Sequence, residues 1–141
     1  MILIDTTILV DVLRDGSGEN ADRLLMIVGP EQMAFTRFTE LEVLMGARDT
    51  RDWDRICAVL AKRVLISPSE FTWSAAARTY FVLRREGYTV RSIVDCCIAQ
   101  VAIENKATLI HNDRDFERIA DVSALQQTRL KLRPILPPSK T

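Results

Sequence analysis

Short apolar runs at Ile2–Ile4, Gln32–Thr36, Val64–Ile66 and Ala107–Ile110 are each separated by a long stretch with apolar residues at helical spacing. No pair of them is joined by a hairpin turn. That order constrains the chain more than any other feature. Strands that alternate with helices, without hairpins, point to an α/β fold with a mainly parallel central sheet. A last strand is expected at Ala124–Gln127.

The helical stretches follow from spacing and breakers. Thr7–Arg14 is followed by the loop Gly16-Ser17-Gly18, and Glu19–Val28 stops at Gly29-Pro30. Helices are expected at about Thr39–Arg48 and at Asp52–Arg63, the latter with Trp53, Ile56, Val59 and Leu60 on one face. Pro68-Ser69 opens a long helix to about Glu86, Ser92–Asn105 is too apolar for an open surface, and Asp113–Ala120 is short. No repeat, low-complexity tract or linker interrupts this order. A single domain over 1–133 with a Pro-rich tail at 134–141 is the expected organisation.

At 141 residues, 48% hydrophobic and 27% charged, the chain has the make-up of a globular domain. No apolar run approaches the roughly 20 residues that span a bilayer, and the first residues lack the basic flank and cleavage site of a signal peptide. Cys57, Cys96 and Cys97 have no C-x-x-C spacing, so neither a zinc site nor a disulfide framework is suggested. Reduced thiols in a cytoplasm are the expectation. The 19 basic and 19 acidic residues cancel. A nucleic-acid partner usually calls for a basic excess, but acids gathered into one pocket would leave the remaining surface basic.

The acids are therefore the informative residues. Asp5 ends the first strand, and Asp113 and Asp115 follow the strand that ends at Ile110. Ligands of open α/β sheets bind at the carboxyl ends of strands. Glu42 in Thr39-Glu40-Leu41-Glu42 and Asp95 in Ser92-Ile93-Val94-Asp95 stand in first helical turns. Each acid alone also reads as a helix cap or part of a capping box. Collected on one sheet edge, however, these carboxylates would repel unless a cation bridged them. Oxygen-only ligands select a hard cation, Mg²⁺ or Mn²⁺. His111 is the single histidine, which excludes a two-histidine ribonuclease mechanism, and no phosphate-cradling glycine loop is present. His111 itself reads as a polar residue at a strand end, and the Cys96-Cys97 pair as small core filler.

In order, Ile2-Leu-Ile-Asp5-Thr-Thr, Thr39-x-x-Glu42-Val-Leu-x-Gly46, Val90-Arg-Ser-Ile-Val-Asp95-Cys-Cys and His111-Asn-Asp113-Arg-Asp115-Phe116 resemble a PIN domain. More narrowly they look like the VapC toxins of bacterial toxin–antitoxin pairs. The resemblance runs from residue 2 to about residue 120. It implies a Rossmann-like sheet, an acidic pocket holding Mg²⁺ or Mn²⁺, cleavage of RNA, a homodimer, and silencing by a cognate VapB-type antitoxin. By motif position it puts the catalytic and metal-binding acids at Asp5, Glu42, Asp95 and Asp113, with Asp115 auxiliary. Glu40 competes with Glu42, and the spacing to Gly46 favours Glu42. Arg91 is a candidate phosphate contact.

Two other classes compete. A Mg²⁺-dependent phosphatase of the haloacid dehalogenase type needs a second acid two residues after the first, where Thr7 stands. A PIN-like module that only binds RNA or protein would have no need for a full set of repelling carboxylates.

Overall fold

The computed structural model describes residues 1–134. The expected tail at 134–141 therefore lies, beyond Pro134, outside the described residues. Five strands and seven helices follow one another as β1 (Ile2–Ile4), α1 (Thr6–Arg14), α2 (Glu19–Val28), β2 (Met33–Thr36), α3 (Arg37–Met45), α4 (Thr50–Ala61), β3 (Val64–Ile66), α5 (Thr72–Arg85), α6 (Ile93–Glu104), β4 (Thr108–His111), α7 (Arg114–Asp121) and β5 (Gln126–Arg129). The strands form one sheet in the order β3-β2-β1-β4-β5, and every pairing is parallel.

Alternation along β1 sorts the core into two layers. Leu3 joins Ala76, Leu83, Ile98, Val101, Phe116 and Ile119, so α5, α6 and α7 cover one face of the sheet. Ile2 and Ile4 join Ile8, Leu24, Val28, Ile56 and Leu60, so α1, α2 and α4 cover the other. Phe116 is fully buried, which contributes about 2–3 kcal/mol. Helix α6 buries Cys96, Cys97, Ile98, Ala99, Val101 and Ala102, as its composition requires. The two adjacent thiols serve as packing, and burial pushes Cys96 up to about 12, far from a reactive thiolate.

Two local expectations need correction. Helix α3 begins at Arg37, capped by Thr36, whose hydroxyl accepts the Thr39 N–H at 3.1 Å. Thr39 is thus an internal helical residue and not the cap. Trp53 does not share the buried face of α4; Ile56 and Leu60 do, while Trp53 is exposed. His111 stands at the end of β4, as expected, and is fully buried there.

Candidate active site

Strand order reverses at β1. Its chain neighbour β2 lies on one side, and β4 on the other. Such a switch point leaves a crevice beyond the carboxyl ends of the two central strands. Asp5 leaves β1 at that crevice and Asp113 follows β4 there. Their loops are tied by Thr7, whose hydroxyl donates to Asp5 Oδ2 at 2.6 Å and accepts the Asn112 N–H at 3.0 Å.

A cleft of about 510 Å³ opens at this point, and its lining includes Asp5, Asp11, Glu42, Arg91, Asp95 and Asp113. Five acids, from four separate parts of the chain, therefore face one space. Asp115 stands behind them: one oxygen each of Asp95, Asp113 and Asp115 lie within 4.8 Å of one another. Glu40 points elsewhere, paired with Arg37 at 3.0 Å on the outer side of α3. Helical spacing separates the two glutamates, as two residues on a helix face different ways.

Each acid is held differently. Asp5 is buried and caps α1, accepting both the Thr7 N–H and the Thr7 hydroxyl. Its burial raises the carboxyl above the usual range, and the Thr7 hydrogen bonds partly offset this. Glu42 accepts the Thr6 hydroxyl at 2.8 Å. It too is raised, chiefly by burial, and to a smaller extent by the charge of Asp5. Asp113 caps α7 by accepting the Asp115 N–H at 2.9 Å. Asp115 is buried, accepts the Arg91 N–H at 3.3 Å and lies 3.6 Å from the Arg118 guanidinium.

Asp95 is the exception. Ser92 caps α6 as expected, accepting the Val94 N–H. Among the described residues no hydrogen bond reaches the Asp95 carboxylate, so the reach-back half of a capping box is not made. Burial, then the charges of Asp5, Asp113, Glu42 and Asp115, push its pKa up to about 7. A half-buried carboxylate with four acids around it and no donor needs a positive partner.

His111 fixes the turn that carries Asp113. The Asp113 N–H donates to Nδ1 at 3.1 Å, so the ring carries its hydrogen on Nε2 and donates it to Gln127 at 2.6 Å. Thr6, Thr7 and Asp11 are site residues that motif reading passes over. The hydroxyls adjacent to Asp5, and the acid one helical turn beyond Thr7, are the available signs.

A parallel sheet with carboxylates gathered at its switch point defines a class of α/β domain with an acidic cleft at the carboxyl ends of its strands. Comparison with known proteins narrows this. The PIN domain family model matches residues 2–122. The VapC ribonuclease Mb1587 of Mycobacterium bovis is 36% identical over 133 residues, 89% of this chain and 96% of that protein. Ribonuclease VapC11 of Mycobacterium tuberculosis shows the same identity and coverage. Among solved structures, VapBC2 of Rickettsia felis bound to a promoter DNA fragment shares the fold with a TM-score of 0.73 at 22% identity, over 93% of this chain and all of that one. The chain belongs to the PIN-domain family, in its VapC branch.

Proposed function

We propose that the protein is a divalent-metal-dependent endoribonuclease and the toxin of a toxin–antitoxin pair. The observation that carries this reading is Asp95: a half-buried carboxylate in the acid cleft, without a donor among the described residues and raised to about 7 by burial and four neighbouring acids. The relatives named ribonuclease supply the substrate class.

The residues fit Mg²⁺ or Mn²⁺. The donors are all carboxylate oxygens, which these ions prefer. One oxygen each of Asp95, Asp113 and Asp115 lie within 4.8 Å of one another, a grouping that one ion could share. Asp5 and Asp95 would be the principal ligands, with Glu42, Asp113 and Asp115 completing the set. When bound, the ion lowers the pKa of water and neutralises charge growing on the phosphate. The chain's own residues do the rest. Thr7 holds Asp5, and Thr6 holds Glu42, in one orientation each. Glu42, whose carboxylate is a stronger base for being raised by burial, lines the cleft where it would take a proton from an attacking water. Arg91 lines the cleft where a phosphate would enter.

This assignment separates two neighbours on α3. Glu42→Gln is expected to cut RNA cleavage by about a hundredfold, the scale of a lost general base, while Glu40→Gln changes it little. Single-turnover cleavage of one labelled RNA by both variants decides it. The reverse order would place the wrong glutamate in the site.

A cognate antitoxin is the proposed partner. A second cleft of about 320 Å³, where Val10, Leu13, Val43 and Ile56 are rimmed by charged residues such as Arg14, Arg48 and Asp52, shares Val10 and Glu42 with the acid cleft. An amphipathic antitoxin helix would lie there and reach an arginine among the acids, where its planar fork pairs two carboxylate oxygens. Changing that arginine to alanine should restore cleavage more than it weakens the complex. A variant complex that stays fully inhibited would mean that the antitoxin acts by covering the RNA path.

The homodimer is part of the same reading. Leu41 and Met45 on α3 are exposed, as is Trp73, whose ring meets Phe38 of α3 edge-on at 5.9 Å. Phe38, Leu41 and Met45 share one helical stripe, a contiguous apolar surface suited to a second copy. No helix among the described residues is long and apolar enough to cross a membrane. Action on RNA would place the protein in the cytoplasm.

A further inference from the structure

The second half of α5 and the loop after it interleave arginines with aromatic rings. Between Glu70 and Glu86 the chain has Arg78, Arg84 and Arg85 and no acid. Among the described residues Arg78, Arg84, Arg85 and Arg91 have no carboxylate at ion-pair distance, whereas Arg48 and Arg55 share Asp52, and Arg129 and Arg133 pair with Glu117 and Glu19. On α5 itself Arg78, Arg84 and Arg85 thus meet no carboxylate at ion-pair distance, while Arg91 faces the acids of the cleft.

The rings are arranged with those charges. Phe81 is 46% exposed, with the Arg78 and Arg85 guanidinium carbons 5.2 and 5.7 Å from its centroid. These three residues fall on one helical face. Arg84 lies 5.9 Å from the centre of Tyr80. Tyr88, 36% exposed, has Arg118 at 5.6 Å. The loop end of the strip reaches the acids: Arg118, beside Tyr88, lies 3.6 Å from Asp115, and Arg91 lines the acid cleft.

The geometry points to a track for single-stranded RNA along α5 and the 87–91 loop, leading into the acid cleft. Unpaired bases stack on Phe81, Tyr88 and the guanidinium planes beside them, and Arg78, Arg84, Arg85 and Arg91 meet the phosphates. Arginine planes over exposed rings offer both functions at once. Only unpaired bases present a free π face, so the track selects single strands over duplex. Such a run of like charges suits a polyanion better than an ordinary protein surface. The inference rests on the ribonuclease reading and adds the path of the strand over the surface and the rings that hold it.

The test is binding of a fluorescent, unstructured RNA of about 20 nucleotides to the whole protein in EDTA, where nothing is cut, beside the same strand in a duplex. Phe81→Leu with Tyr88→Leu keeps apolar bulk and removes the π faces. It is expected to weaken single-strand binding by roughly five- to a hundredfold, with duplex binding changed by less than about twofold and the melting temperature unmoved. Arg78→Gln with Arg85→Gln should weaken both probes and flatten their salt dependence. Wild-type affinity in the leucine variant, or equal losses on strand and duplex, would overturn the track and leave the strip to a protein partner. Failure of the two readings is distinguishable. Wild-type protein that binds the strand through these rings but never cuts it with Mg²⁺ removes only the ribonuclease. Protein that cuts RNA with indifferent leucine variants removes only the track, and protein that neither binds nor cuts RNA removes both.

Discussion

Asp95→Asn is expected to abolish RNA cleavage and, in metal-free protein, to raise the melting temperature. The two effects have one cause. The amide would keep the shape of the side chain but remove the charge at the centre of the acid cluster, the site where a cation would bind. Loss of a metal ligand removes several kcal/mol of transition-state stabilisation, so cleavage should fall about a thousandfold or more. Stability moves the other way. The carboxyl of Asp95 is raised from 3.8 to about 7 in the folded protein. That is about 3 units at about 1.4 kcal/mol each, and roughly half of it, about 2 kcal/mol, survives solvent screening. An acid in the first turn of a helix normally contributes only about 0.3–1 kcal/mol through the helix dipole. Repulsion therefore wins, and a rise of about 5 °C follows. If Asp95→Asn instead unfolds the chain, the residue is a helix-start stabiliser and the site has been misread. Asp5→Asn should also be inactive and folded, because an amide oxygen can still accept the Thr7 hydroxyl and N–H that cap α1.

The same carboxyl makes metal-free stability fall with rising pH. Below about pH 4 both folded and unfolded chains hold the Asp95 proton. Between 3.8 and about 7 the unfolded chain has lost it and the folded chain retains it, so stability declines across that window. Above about 7 the full penalty stands. Asp5 and Glu42 are raised in the same direction and add to it. Millimolar Mg²⁺ or Mn²⁺ should return several degrees of melting temperature at pH 8 and little at pH 5, where protons occupy the site. Melts at both pH values, with metal and with EDTA, give the answer. A melting temperature at pH 8 that ignores saturating metal would count against a shared carboxylate site.

Much of the frame is legible from spacing, because a parallel sheet writes long helical connections between short apolar runs. The bounds of α2 and β3 match the sequence reading to the residue. The start of α3 is misplaced by spacing because two threonines compete as caps. Thr39 fits a capping box with Glu42, yet Thr36 ends β2 directly and its hydroxyl takes the Thr39 N–H. Trp53 misleads because periodicity marks an apolar stripe without saying how wide the covered face is. The burial of His111 is hidden for another reason: its partner Gln127 comes from β5, and only the register His111↔Arg129 brings that strand alongside. Asp5, Asp95 and Asp113 stand out by their places at strand ends and helix starts, whereas Glu42, read as a first-turn residue, lies in the second turn of α3 because the helix starts at Arg37. What spacing cannot give is their inequality. Asp5, Glu42 and Asp113 each have a hydrogen-bond donor, from Thr7, Thr6 and the Asp115 N–H, while Asp95 has none among the described residues. Likewise Glu40 and Glu42 separate fully only in three dimensions, where Arg37 holds Glu40 on the outer surface.

The most direct measurement is cleavage of a defined RNA by the purified, antitoxin-free protein across a Mg²⁺ titration, starting from an EDTA-treated sample. A carboxylate-held metal site predicts no cleavage in EDTA, recovery on adding Mg²⁺ or Mn²⁺, and no recovery at any metal concentration for Asp5→Asn. Cleavage that persists in EDTA, or that Asp5→Asn retains, would contradict it.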